Sequence, residues 1–233
     1  MIVRCDQELF EMFPGASVHG VVAEGVGGFD PAVATVWKAK AIESVAASGF
    51  TTETILESPA VSEWRSAFQK FGVKPSRFRS SIEQLFRRAL KQEIIETSLP
   101  LVNLYCYVSL IAMVPMGAYD LEKVEGDIVV RFSKADETFL GIGDSTPLIA
   151  HPGVVVYVDN GGIVCWAWNH RDAARVSLSP TTERAIFFAD SSSVQSESRA
   201  DSAITLLSEA LAGAGATQLK RFVLNQTSPA FMF

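Results

Sequence analysis

The order of hydrophobic patterns along this 233-residue chain predicts an α+β fold, a mixed or antiparallel sheet packed with several helices. Three observations carry that expectation. Two short alternating segments open the chain, a run of segments with helical periodicity follows as far as Met113, and the period then switches to two until a last amphipathic segment from Ala203. The chain is long enough to bury a sizeable core, and 48% apolar with 20% charged residues excludes disorder as the global state. One domain over residues 1–233 is expected.

Ile2 to Cys5 and Val18 to Ala23 read as strands, separated by Leu9 to Phe13 and a Pro14-Gly15 turn. Gly25-Val26-Gly27-Gly28 sits where a dinucleotide fingerprint would, but Asp30 stands at the third glycine position. Asp30 instead reads as an N-cap with Pro31 in the first helical position, so the glycines are a turn. The helix from Pro31 to Ser48 directs Val33, Val36, Trp37, Ala41 and Val45 inward and stops at Gly49. A second follows Ser58-Pro59, with Val61, Trp64, Phe68 and Phe71 on one face and Gly72 as its stop.

Ser80-Ser81-Ile82-Glu83 has the capping-box pattern and opens a third helix. Ile82, Leu85, Phe86, Ala89 and Leu90 share its apolar face, which turns Gln84, Arg87, Arg88 and Lys91 elsewhere. The segment from Pro100 to Met113 is apolar all round, as in a helix enclosed by other elements. The polar atoms of Asn103, Tyr105, Cys106, Tyr107 and Ser109 then either satisfy one another or line a cavity. Pro115-Met116-Gly117 reads as a turn into a strand. Ile128 to Phe132, Thr138 to Ile142, Gly153 to Val158, Ile163 to Trp168 and Ala185 to Phe188 read as further strands. Asp159-Asn160-Gly161-Gly162 is the clearest hairpin signal. The serine-rich tract from Asp190 to Ser198 reads as a loop, Ala203 to Ala212 as a helix and Leu219 to Leu224 as a last strand.

The net charge of −6 does not advertise nucleic acid or an anionic membrane as partner of the whole molecule. Between Glu63 and Lys91, however, eight basic residues face two acidic ones, either a solvated helix face or a surface that tracks a phosphate backbone. Cys5, Cys106 and Cys165 are far apart and suggest neither disulfides nor zinc, which fits a reducing, cytoplasmic setting. The N-terminal residues lack an apolar secretory segment, and Leu99 to Val114 is shorter than the roughly 20 residues of a spanning helix, so no membrane is expected.

His19, His151 and His170 have no partners at metal-ligand spacing, so neither metal nor cofactor is expected. His170-Arg171-Asp172 copies a kinase tripeptide without any accompanying kinase motif, and no G-x-S-x-G elbow occurs. Trp166-Ala167-Trp168-Asn169-His170-Arg171-Asp172 is a strand running into a polar turn. There Asn169 can donate and accept and Arg171 pairs with Asp172, at a ligand or oxyanion site or in a plain strand-end turn.

Several of these stretches together resemble one family. Phe71-Gly72-Val73-Lys74-Pro75, Arg79-Ser80-Ser81-Ile82-Glu83, Leu85-Phe86-Arg87-Arg88, Leu99-Pro100-Leu101-Val102 and Pro115-Met116-Gly117-Ala118-Tyr119-Asp120-Leu121 are similar to stand-alone relatives of the editing module of the phenylalanyl-tRNA synthetase beta subunit, its paired third and fourth domains. Gly126 to Arg131, Trp168-Asn169-His170-Arg171 and Ser179-Pro180-Thr181-Thr182 continue the likeness. It covers residues 63–190, with segments 1–58 and 197–233 packed on that core.

The resemblance implies that module's fold and a free-standing deacylase that hydrolyses mischarged aminoacyl-tRNA in trans, an activity that exists because synthetic pockets discriminate weakly between close side chains. Residue by residue, Gly117 replaces the module's functional histidine, Cys106 its usual asparagine, Tyr105 a threonine-like pocket residue, and Phe188 its editing glutamate. Asn169, Arg171 and backbone around Gly117 are then the catalytic candidates. Tyr105, Cys106, Ser109, Met116 and Arg79 are the substrate-binding candidates, and Arg77, Arg87, Arg88 and Lys91 contact aminoacylated tRNA. The missing histidine and glutamate favour a second reading, a non-catalytic module that binds tRNA or an amino acid. A third reading makes Arg79, Glu83, Asn103 and Asp120 a structural framework, with Glu83 as capping-box partner.

Overall fold

A computed structural model describes residues 1–233. The chain opens with strand β1 (Ile2–Cys5), the short helix α1 (Gln7–Met12) and strand β2 (Ser17–Glu24). Four helices follow, α2 (Pro31–Ala47), α3 (Pro59–Lys70), α4 (Ser81–Leu90) and α5 (Pro100–Ala112). Strands β3 (Met116–Asp120), β4 (Ile128–Phe132), β5 (Thr138–Phe139), β6 (Leu148–Ile149), β7 (Val155–Asp159), β8 (Gly162–Trp166), β9 (Arg171–Asp172) and β10 (Arg184–Ser191) come next. Helix α6 (Val194–Gly213) and strands β11 (Gln218–Leu224) and β12 (Ala230–Met232) end the chain, so the fold is α+β as expected.

Two sheets stack face to face. One is mixed and six-stranded, in the order β12-β1-β4-β7-β8-β9, and its only parallel pair is β1 with β4. The other is antiparallel and four-stranded, in the order β11-β2-β10-β3. A row of aromatic rings joins them: Tyr157 of the first sheet packs on Tyr119 and Phe188 of the second, and Phe188 continues through Phe222 to Phe231. Helices α5 and α6 cover the other side of the four-stranded sheet and α2 packs on α5, which explains why β10 is buried along nearly its whole length. One contiguous cluster of 66 buried apolar residues runs through all these layers.

The local signals act where the sequence places them. Asp30 accepts a hydrogen bond from the Ala32 amide at 2.9 Å and Pro31 starts α2. Ser80 accepts from the Glu83 amide at 3.4 Å at the head of α4. The Asn160-Gly161 turn closes the β7–β8 hairpin, held by the Asp159 carboxylate on the Gly161 amide.

Other expectations change. Val36 is 56% exposed, because α2 turns Ala34, Trp37, Ala41 and Val45 inward instead. Glu83 is not a reciprocal capping partner: its fully buried carboxylate accepts from Arg65 at 3.1 Å and Arg87 at 3.0 Å and pairs with Arg79 at 3.5 Å. The predicted Thr138 to Ile142 strand is regular only at Thr138–Phe139, with a single further bridge from Gly141 to Ala173. Met116-Gly117 is strand rather than turn, since the reversal happens earlier, at Met113, whose φ of 52° is left-handed. The predicted loop from Asp190 to Ser198 is the end of β10 and the start of α6. Serine hydroxyls disfavour helices by competing for nearby backbone. Here those of Ser192, Ser193 and Ser196 go to the Glu63 carboxylate instead, which leaves the backbone free.

Candidate functional site

At one end of the aromatic row the two sheets leave a small polar hollow. The four-stranded sheet contributes Met116, Gly117 and Tyr119 from β3 and Phe188 and Asp190 from β10. Gly117 and Phe188 are cross-strand partners, and the two-residue period places Tyr119 and Asp190 on the same face as each of them. From the six-stranded sheet come Tyr157, Cys165 and Asp172, three residues in register across β7, β8 and β9. A bulge between Tyr157 and Val158 sets that register.

The turn between β8 and β9 completes the wall with Trp168, Asn169, His170 and Arg171. Ala167 and Trp168 both have left-handed backbone, with φ of 52° and 62°. Two adjacent non-glycine residues there cost roughly 1–3 kcal/mol each and persist only where packing over-determines them. The Trp168 indole supplies that packing, with ring centroids 5.0 Å from both Phe13 and Trp64. The first amide of α4, Ser81, donates to the Asn169 carbonyl at 3.0 Å, and the Arg79 carbonyl meets the His170 ring at 2.7 Å. The turn is therefore built before any ligand arrives.

Two carboxylates face this hollow. Burial pushes Asp190 up from 3.8 to about 7 and the neighbouring charge of Asp172 adds to the rise, although the Tyr157 hydroxyl and the Asn169 amide (3.4 Å) donate to it. Burial likewise raises Asp172 to about 6 against donation from Cys165 and the Tyr119 hydroxyl at 3.4 Å. The second carboxyl oxygen of Asp172 lies 3.4 Å from where a side chain on Gly117 would begin, so the missing side chain leaves open space in front of that carboxylate. Asn169 is 6% exposed and its Oδ1 has no hydrogen-bond partner, an acceptor free to hold a group in the hollow that Asn169 lines. The space itself measures about 50 Å³ for the centre of a water molecule, room for a few waters and far below the roughly 300–1,000 Å³ of drug-sized pockets.

Of the residues singled out from the sequence, the structure brings Gly117, Met116, Asn169 and Arg171 together at the hollow. Arg171 pairs with Asp144 at 2.6 Å rather than with Asp172. Cys106 and Tyr105 are outside the lining but within electrostatic reach of Asp172, and burial pushes the Cys106 thiol up to about 12, so it is not a thiolate at neutral pH. Ser109 is fully buried and spends its hydroxyl on the Val114 carbonyl, while Arg79 lies outside the lining and pairs with the buried Glu83. Arg87 is committed to Glu83 and the Thr52 carbonyl, whereas Arg77, Arg88 and Lys91 enter no ion pair. Asn103 binds Thr97, and Asp120 caps the following turn and holds Thr182, so both serve the framework.

Sequence reasoning missed Asp190, Tyr157, Tyr119 and Cys165. It set the counterpart of the synthetase glutamate at Phe188, and two residues along the same strand face stands Asp190. An acidic residue ending a run of five apolar ones was the available signal. No three histidine, cysteine, aspartate or glutamate side chains come together as a metal site, and no helix is long and apolar enough to cross a membrane.

The model of the B3/4 domain family matches residues 63–212. The crystal structure of an N-terminal fragment of the phenylalanyl-tRNA synthetase beta-subunit from Pyrococcus horikoshii shares the fold, with a TM-score of 0.51 at 10% identity. That similarity covers 96% of this chain and 54% of the fragment, so the chain spans about half of the fragment's length. No curated protein matches.

Proposed function

Because the chain belongs to the B3/4 domain family and shares the fold of a phenylalanyl-tRNA synthetase beta-subunit fragment, we propose that it hydrolyses the ester of misacylated tRNA in trans, at the hollow between its two sheets. The observation that carries this reading is the pair of buried carboxylates, Asp172 and Asp190, raised into the neutral range beside an unpartnered amide oxygen.

Ester hydrolysis needs a held water, a base to take its proton and an acid to return one to the leaving hydroxyl. Two carboxyl groups whose environments set different affinities for protons divide those roles. Asp172, the stronger acid of the two, takes the proton from a water held against Asn169 Oδ1. Asp190, still protonated near neutrality, gives one to the ribose oxygen. The reacting carbonyl enters over Gly117, where no side chain obstructs it. A histidine is thus replaced by space and a glutamate by an aspartate two residues on.

Volume adds a restriction on the substrate. A hollow with only about 50 Å³ for the centre of a water molecule favours an ester carbonyl with a small side chain over one with a tyrosyl ring. The test is a deacylation panel over glycyl, alanyl, seryl and tyrosyl tRNA. Glycyl, alanyl or seryl esters are expected to be lost faster than tyrosyl. Asp172→Asn and Asp190→Asn should each lower the rate by roughly 10²–10⁴-fold, the usual worth of a general acid or base. Ester loss at the uncatalysed rate across the whole panel would overturn the reading in favour of a binding module.

A further inference from the structure

Beside the hollow, between the α3–α4 connection and the β6–β7 connection, lies a second and larger cleft of about 350 Å³. Lys74, Arg77, Phe78, His151 and Trp166 are among its lining residues and no carboxylate is. Lys74 and Arg77 are exposed and enter no ion pair, so both charges are free to meet an anion. The Arg77 guanidinium lies 5.1 Å over the Phe78 ring, so a flat cation and a flat aromatic form one stack at the cleft's edge. Phe78 in turn meets Trp166 edge-on at 6.4 Å, and the Trp166 indole nitrogen has no hydrogen-bond partner. On another side Phe78 packs at 5.3 Å against the ring of His170, which lines the hollow. One imidazole is therefore the party wall between cleft and hollow.

We propose that this cleft receives the unpaired 3′ end of an RNA, with a base stacked on the Arg77–Phe78 pair and backbone phosphates on Lys74 and Arg77. The inference rests on the proposed esterase reading only in that it delivers the end of the same substrate to the hollow. Cations with no carboxylate among them select a polyanion, and a half-buried Phe78 ring beneath an exposed guanidinium selects one that carries bases, since any base stacks on an aromatic or guanidinium plane. The cleft's volume is within the range of small-ligand pockets, enough for a nucleotide and not for a duplex. This moves the RNA contact away from the basic face of α4, where Arg87 is already engaged by Glu83.

The experiment is fluorescence anisotropy of the full chain with a short labelled RNA ending in CCA-3′, across a salt series. Binding should weaken roughly 5–100-fold in Phe78→Ala and return in Phe78→Trp, which preserves a stacking face. In Lys74→Ala/Arg77→Ala the log–log salt slope should flatten by about 1.4, two phosphate contacts at about 0.7 each for a single strand. These cations are exposed, so that variant folds even if Phe78→Ala does not. No binding, or binding indifferent to all three variants, overturns the proposal, as does equal competition by an acidic peptide of matched charge. Binding that follows the predicted pattern in a protein without deacylase activity upholds the cleft and counts against hydrolysis alone.

Discussion

Asp190 shows how a single residue couples the site to stability. Its carboxyl is protonated up to about pH 7 in the folded chain and ionises near 3.8 when exposed. Between those values the folded state binds a proton that the unfolded state has released, so stability falls as pH rises through the window and is flat above it. Asp190→Asn removes that fall. The variant should gain on the order of 4 kcal/mol relative to the parent between pH 4 and pH 8, about three units at 1.36 kcal/mol each, read from urea melts at the two pH values. Equal pH dependence in both proteins would show that Asp190 ionises normally. The same proton organises catalysis: the deacylation rate should rise with pH as Asp172 ionises near 6 and fall as Asp190 does near 7, a narrow bell. None of this was legible in the sequence, where Asp190 reads as the first residue of a polar loop. A carboxyl group's affinity for its proton is set by its enclosure, and the Tyr157 ring that encloses Asp190 lies 33 residues away.

At the scale of elements, signals decided within a few residues hold more often than those that depend on distant partners, although Val36 and the Glu83 half of the capping box are local readings that the structure reverses. The Asp30-Pro31 start of α2, the Ser80 cap of α4 and the Asn160-Gly161 hairpin are decided within a few residues. Strands β6, β9 and β12 have two or three residues each, too few for any period, and exist only because a neighbouring strand pairs with them. The β10–α6 junction is the sharpest case, since its serines are held by Glu63 from 129 or more positions earlier in the chain. Arg199 adds an ion pair to the same carboxylate at 3.0 Å. Glu63→Ala should release that junction: amide exchange across residues 192–199 should quicken while β2 and the rest of β10 keep their protection. Unchanged exchange there would mean that the backbone alone holds the turn. Asp190 enters the hollow two residues before Ser192, so the variant should also slow deacylation without contacting substrate.

Considered whole, the molecule carries its proposed chemistry where two sheets meet, and neither sheet alone contains it. Asp190 and Gly117 belong to one, Asp172 and Tyr157 to the other, and the ring row from Tyr119 to Phe231 sets the distance between them. The resemblance to the synthetase module, read from separate stretches, identified the family, and helical periodicity with capping located α2 to α5 and the second half of α6. The convergence of the sheets lay beyond both, because no local pattern records which strand faces mate. Strand β12 has a further consequence. Ile2 pairs with Met232 and Arg4 with Ala230, so β1 gains one of its two neighbours only after some two hundred residues of intervening chain are in place. During synthesis β1 therefore leaves the ribosome long before that neighbour exists, and nascent chains halted ahead of Ala230 would present an unpaired strand edge open to chaperones and to like chains.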